Sequence, residues 1–170
     1  MDSRHIYAAP WGTSFRLWTV FSVIICVAAV SVLIGLFVTT EEEGRWMILL
    51  PAVALPLSFL GMALFMVRGY ELTHDALLVK RPGRWTRVEL DGLVSVEVEP
   101  GAARFSVMLF GMDGVFSRVG WFRNARLGPH RSWVTDHRRV VVLRYQDRTV
   151  TVSPDRPEEF VAQVRQLRRL

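Results

Sequence analysis

Two long stretches without charge occupy most of the first 67 residues of this 170-residue chain. Residues 17–39 and residues 46–67 contain no Asp, Glu, Lys, Arg or His. Each run exceeds the roughly 20 residues that a helix needs to cross a hydrocarbon core of about 30 Å. The first run is also too long for the apolar part of a secretory signal, and no small-residue cleavage site follows it. The sequence therefore predicts a transmembrane hairpin at residues 17–67, with a short loop at 40–45.

Charged residues around the hairpin predict its orientation. Arg4 and Arg16 precede the first run and Arg68 follows the second, whereas the connecting loop carries three glutamates and only Arg45. Lys and Arg close to the ends of membrane helices favour the cytoplasmic side. We therefore expect residues 1–16 to form a cytoplasmic N-terminal segment, the loop to lie outside, and both termini to be cytoplasmic.

The hairpin itself predicts an anchor. Small residues at Ser31 and Gly35 in the first run, and at Ala54, Ser58 and Gly61 in the second, provide faces on which two membrane helices can pack. No ionisable side chain other than the single cysteine lies at bilayer depth, so the sequence shows no ion pathway or proton relay.

Residues 68–170 have a different pattern, which predicts one small, mainly-β domain. Short β-prone segments with period-2 alternation are bounded by turn residues, and they indicate about seven strands. The nine candidate segments, from which we expect about seven strands, are residues 70–73, 76–81, 85–90, 93–99, 104–110, 115–119, 133–135, 138–145 and 148–153.

The end of the chain changes to a helical period. Asp155 is expected to cap a helix, with Glu158 as its capping-box partner and Pro157 in the first turn. An apolar face follows, which predicts that the helix packs on the sheet. This face consists of Phe160, Val161, Val164 and Leu167.

Three segments of the chain carry a resemblance to a known family. Residues 70–79, residues 120–128 and residues 151–160, with the Ser-Pro-Asp-x-Pro-x-x-Phe pattern that enters the last helix, resemble bacterial PH-like domains that follow a membrane hairpin. The resemblance implies a partly open barrel of two sheets plugged by the helix, in a multi-pass protein of the bacterial cytoplasmic membrane. It implies no particular chemistry, because this fold serves lipid, peptide and protein binding alike.

Residues suited to catalysis or metal binding are few. The candidates for acid–base chemistry are His74 with Asp75, His130, and Asp136 with His137, but neighbouring residues on a strand face opposite sides and do not form a dyad. A metal site from His130, Asp136 and His137 would lack a fourth strong ligand. We expect neither an enzyme nor a cofactor or metal.

Basic residues are the stronger signal, because residues 68–170 carry 18 Lys and Arg against 12 Asp and Glu. They form two clusters, one around the turn at residues 82–83 and one between residues 118 and 139 that is interleaved with Trp121, Phe122 and Trp133. The candidate contact residues are Lys80, Arg81, Arg84 and Arg87 in the first cluster and Arg118, Arg123, Arg126 and Arg131 in the second. A solvated surface remains the alternative for the second cluster, and we expect no nucleic acid partner.

Together these features predict a membrane-anchored, non-enzymatic interaction module that binds anionic lipid or a protein partner at the inner face of the membrane. The alternative is a structural or accessory subunit of a larger membrane complex. Both leave open whether the chain forms a homo-oligomer.

Overall fold

The computed structural model describes residues 5–169, which begin with a strand and a pair of long apolar helices. Strand β1 covers His5–Ala8, helix α1 covers Thr13–Thr39 and helix α2 covers Arg45–Ala63, with a 3₁₀ turn at Glu42–Gly44 between the helices. At about 1.5 Å per residue, the 27 residues of α1 span about 40 Å and the 19 residues of α2 about 28 Å. By length and composition, both helices are able to cross a membrane.

Both helices differ from the predicted bounds where they join the domain. Helix α1 begins four residues earlier than predicted, because its first turn packs on the domain and buries Phe15. Helix α2 ends at Ala63, four residues early, because the chain then turns and places Val67 in the core. The predicted close approach at Gly35 and Gly61 is wrong, since a Cβ atom on either glycine would meet nothing within 4 Å among the described residues.

The rest of the described chain forms two sheets around one core. The first sheet joins β1 to β2 (Gly69–Leu72), β3 (Ala76–Arg81) and β4 (Arg84–Glu89), in that order. The second sheet consists of β5 (Leu93–Val98), β6 (Val107–Met112), β7 (Arg118–Asn124), β8 (Gly128–Val134), β9 (Val141–Tyr145) and β10 (Thr149–Val152). Its order is β5-β9-β10-β8-β7-β6, and only β8 and β10 pair in parallel. The predicted architecture, two apolar helices followed by a mainly-β, partly open domain, is confirmed.

Helix α3, Pro157–Arg168, packs on the core with Phe160 and Val164 fully buried. The predicted cap at Asp155 is wrong: the residue at the cap position is Arg156, whose guanidinium pairs with the Glu159 carboxylate and does not cap the backbone N–H groups of the helix. The Asp155 carboxylate instead accepts a hydrogen bond of 3.1 Å from the backbone N–H of Ala8, which fixes β1 to the start of α3.

Strand β1 is an element that the sequence pattern does not predict. It pairs with β2 in antiparallel register, with Tyr7 opposite Tyr70. Tyr7 is 1% exposed and its ring meets that of Phe160 edge-on at 5.2 Å. Because β1 precedes α1 and β2 follows α2, the helical hairpin is an insertion between two paired strands of the domain.

The strands predicted at residues 115–119 and 133–135 have the wrong bounds. The observed strands β7 and β8 form one antiparallel hairpin that includes most of the residues between them. The side-chain oxygen of Asn124 accepts hydrogen bonds from the backbone of Arg126 and Leu127, and Gly128 takes a φ of 65°, which together build the turn. Residues 68–169 therefore hold nine strands rather than about seven, and β1 before the hairpin is a tenth.

Candidate functional site

Arg81 and Arg84 continue the core-facing side of the first sheet beyond its buried part. The register of β3 and β4 pairs Leu77 with Val88 and, four residues further along β3, Arg81 with Arg84. Every second residue of a strand faces the same side, so both arginines share a side with these two buried residues. Their guanidinium groups therefore line the open space between the sheets rather than the outer surface.

Arg131 reaches the same space from the second sheet. It lies on β8, two residues before Trp133, which is 1% exposed in the core. Its guanidinium lies over the Trp133 ring at 4.6 Å and near the Trp121 ring at 5.8 Å. Stacking of this kind fixes the guanidinium plane and leaves its N–H edges free to bind a ligand.

These three arginines line an open cleft of about 780 Å³ between the domain and the hairpin. One wall consists of the last turns of α2, including Ser58 and Met62, and of Phe65 just after the helix. Another wall consists of residues 108–112 of β6. The guanidinium of Arg84 lies 4.7 Å from the centre of the Phe65 ring. The cleft thus combines three cations with apolar walls at the place where the hairpin joins the domain.

The positive charge of the cleft is not neutralised by the described part of the protein. Burial lowers the pKa of the Arg81 guanidinium, and the nearby charges of Arg84 and Arg131 lower it further. Arg81 donates one hydrogen bond to the Thr86 hydroxyl, but its Nε atom is buried without a partner among residues 5–169. Within that range, no carboxylate lies at ion-pair distance from any of the three. An anionic ligand would supply the missing countercharge.

Three other predicted contact residues lie outside the cleft. Lys80 and Arg87 occupy the alternate positions of β3 and β4, on the other side of the sheet, and both are exposed. Lys80 packs over the Trp85 ring at 5.2 Å. Arg123 is exposed on β7 and does not line the cleft.

The last two predicted contact residues hold the domain together. Arg118 is 7% exposed and donates hydrogen bonds of 2.9 Å and 2.6 Å to the carboxylate of Asp113. Arg126 donates a hydrogen bond of 2.6 Å to the carboxylate of Glu99. Since both cations already have a carboxylate partner, they are poor candidates for binding a further anion.

The histidine candidates do not form a catalytic arrangement. His74 lies 2.8 Å from Asp75 on an exposed turn, where nothing orients the pair toward a cleft. His130 is fully buried, and burial lowers its pKa. His137 stacks on the ring of Phe15 at 5.0 Å, and burial lowers its pKa to about 4. In residues 5–169, no group of three or more His, Cys, Asp or Glu is placed to hold a metal ion.

Two walls of the cleft, Phe65 and strand β6, were not identified as parts of a site from the sequence. Phe65 lies in the apolar run that was assigned entirely to the second membrane helix, and β6 was predicted only as a strand at residues 104–110. A signal was present in residues 107–110, because four consecutive apolar residues do not fit the alternation of a strand with one solvent-facing side.

Two open sheets that share a core with a C-terminal helix define a PH-like domain. The family model described as Bacterial PH domain matches residues 68–168, and the chain belongs to this family. The match includes neither the hairpin nor β1. No curated protein and no solved structure matches the chain. PH domains are in general interaction modules without catalytic activity.

Proposed function

We propose that the hairpin anchors the chain in the bacterial cytoplasmic membrane and that the domain binds the headgroup of an acidic phospholipid of the inner leaflet. The observation that carries this proposal is the convergence of Arg81, Arg84 and Arg131, without a carboxylate partner among residues 5–169, in a cleft beside the end of α2.

The pairing of β1 with β2 supports a topology in which the whole domain lies on one side of the membrane. One strand precedes the hairpin and the other follows it, yet their residues are hydrogen-bonded neighbours in one sheet. If the hairpin crosses the membrane, this pairing requires both of its ends to lie on the same side. The excess of Lys and Arg at those ends favours the cytoplasmic side.

The chemistry of the cleft suits a phosphate ester with an apolar part. Guanidinium groups form paired hydrogen bonds to phosphate oxygens. Arg81 and Arg84 provide donors from the first sheet, and Arg131 provides donors from the facing sheet. The apolar walls from α2 and β6 offer contact to the glycerol and upper acyl region of the same molecule. A free inorganic anion would use only the first of these contacts.

Binding of short-chain lipids to the full chain in detergent tests the proposal. Isothermal titration with short-chain phosphatidylglycerol should show saturable binding, whereas phosphatidylcholine and inorganic phosphate should bind far more weakly. The triple variant Arg81→Gln, Arg84→Gln, Arg131→Gln should lower the affinity roughly 100-fold, at about 1 kcal/mol for each contact.

A second triple variant separates a built site from general attraction. Lys80→Gln, Arg123→Gln and Arg138→Gln remove the same charge from exposed positions outside the cleft. Equal losses in the two variants would mean that only net charge matters and would refute the cleft as the site. If neither lipid binds and native membranes yield a defined hetero-complex, the accessory-subunit alternative becomes the better account.

A further inference from the structure

Strand β6 is a free edge of the second sheet and is apolar on both of its sides. Val107 is 69% exposed, Met108 48%, Leu109 58% and Phe110 78%. We call residues 107–110 the apolar edge. Soluble proteins protect such edges with charges, proline or a covering element, because an exposed apolar edge strand associates with other chains. Among residues 5–169, no element covers this one.

The position of β6 indicates what covers the apolar edge. Residues 108–112 line the same cleft as the last turns of α2. Just after β6, the ring of Phe116 meets the ring of Phe59 at 5.4 Å, and its backbone N–H donates to the hydroxyl of Thr19 at 3.0 Å. Thr19 lies six residues, about 9 Å, inside α1, and Phe59 lies four residues, about 6 Å, from the end of α2. The loop that follows β6 is therefore held, four residues after the strand ends, against turns that belong to both apolar helices.

We infer that the apolar edge inserts into the interfacial region of the inner leaflet, as a second membrane contact of the domain. The apolar windows of α1 and α2 are not buried by the described protein and need hydrocarbon around them. The apolar edge continues that surface past the end of α2, so the same lipid covers both. This inference rests on the membrane anchoring proposed above but not on the arginine site.

Depth-dependent quenching of a fluorescent label tests the insertion in the full chain in lipid nanodiscs. The native Cys26 is replaced by Ser, and the label is attached to Leu109→Cys or to the control Val94→Cys. Leu109 and Val94 are similarly exposed, at 58% and 54%, and lie on the two opposite edge strands of the same sheet. A third sample carries the label on the native Cys26, which is the midpoint of α1.

The expected result is a graded response of the three labels. Interfacial helices and anchors lie about 5–10 Å into the headgroup and acyl boundary, so quenchers on acyl carbon 5 should reduce the emission at position 109 by about half. Quenchers at carbon 16 should act less at position 109, and neither should affect position 94. The label on Cys26 should respond most to the deep quencher.

Each other outcome overturns a defined part of the reasoning. A label at position 109 that behaves like the label at position 94, with Cys26 still quenched, refutes the inserted edge but leaves the anchoring intact. An unquenched Cys26 label refutes the anchoring itself. A disulfide between two Leu109→Cys chains in discs with several copies shows that a second copy covers the edge. Quenching at position 109 that persists in the triple arginine variant supports a contact independent of the lipid site, and its loss refutes that independence.

Discussion

Truncation of Tyr7 tests whether a residue that precedes the hairpin belongs to the core of a domain whose family match begins at residue 68. Tyr7 is 1% exposed, its ring meets Phe160 at 5.2 Å, and the Arg156 guanidinium lies 5.3 Å from the ring centre. Replacing a buried aromatic residue by Ala costs about 3–5 kcal/mol, which already includes most of the lost ring contact. We therefore expect Tyr7→Ala to lower the free energy of unfolding by about 4 kcal/mol.

Two matched substitutions on the same strand sharpen this expectation. The Tyr7 hydroxyl is buried without a hydrogen-bond partner in residues 5–169, so Tyr7→Phe removes an unsatisfied polar group and should stabilise the domain by about 1 kcal/mol. Its neighbour Ile6 is 71% exposed, and Ile6→Ala should change the stability by less than about 0.5 kcal/mol.

Pulse proteolysis with trypsin in urea measures these differences on the full chain in nanodiscs. Residues 68–170 contain 18 Lys and Arg, so the unfolded domain is cut rapidly while the folded domain resists. With about 1–2 kcal/mol per molar urea for a domain of this size, Tyr7→Ala should lower the midpoint by roughly 2–4 M. A midpoint equal to that of Ile6→Ala would show that β1 does not contribute to the core, and the insertion of the hairpin between two strands would then be refuted.

Two further predictions concern orientation and acid stability. Reporter proteins fused to either terminus should be active only in the cytoplasm, and a C-terminal reporter that is active only in the periplasm would refute the topology. The pKa of His137 is about 4 in the folded domain and about 6.5 when unfolded, so the unfolded state binds more protons between these values and stability falls as the pH is lowered through that window. Between pH 7 and pH 5 the free energy of unfolding should fall by about 2 kcal/mol, measured through the urea midpoint at each pH. In His137→Phe the slope should flatten but not vanish, because burial also lowers the pKa of His130. An unchanged slope would contradict the burial of His137.

The parts of the fold that the sequence predicts are those with a local signal. The two uncharged runs, the alternation around residues 93–99 and the apolar face of α3 each specify their element without knowledge of distant partners. The same locality explains why Arg81 and Arg84 were recognised together, since they flank one turn and pair directly across it.

The missed features depend on partners far along the chain. The four residues of β1 have no detectable period, and only pairing with β2, more than 60 residues later, makes them a strand. Gly111 and Gly120 look like turn residues, but they face each other across β6 and β7, where a Cβ atom on either would lie 2.7 Å from the Cα atom of the other. Glycine at this pair allows the close approach that extends both strands.

The convergence of the arginines illustrates the same limit at the site. Arg131 belongs to a different sheet from Arg81 and Arg84, so no spacing in the sequence places the three together. Arg118, Arg126 and Arg131 belong to the same basic cluster in the sequence, and nothing there separates them. In the fold, Asp113 pairs with Arg118 and Glu99 pairs with Arg126. Two properties together distinguish the arginines of the proposed site: they line one cleft, and they have no carboxylate partner among residues 5–169. Both are tertiary properties.

The way the hairpin joins the domain bears on how tight the proposed lipid site has to be. Both connections are hydrogen-bonded to the domain, with Gly12 N–H donating to the Thr135 carbonyl at 2.8 Å and Arg68 N–H donating to the Lys80 carbonyl at 2.9 Å. A flexible tether alone gives an effective concentration in the millimolar range, and two short, bonded connections restrict the orientation as well. If the hairpin spans the membrane, the cleft is held continuously beside the lipid that it is proposed to bind, and little ordering is left for the binding step itself. A modest intrinsic affinity for an acidic headgroup is then sufficient for high occupancy, so the site should discriminate between lipids more by charge than by detailed headgroup shape.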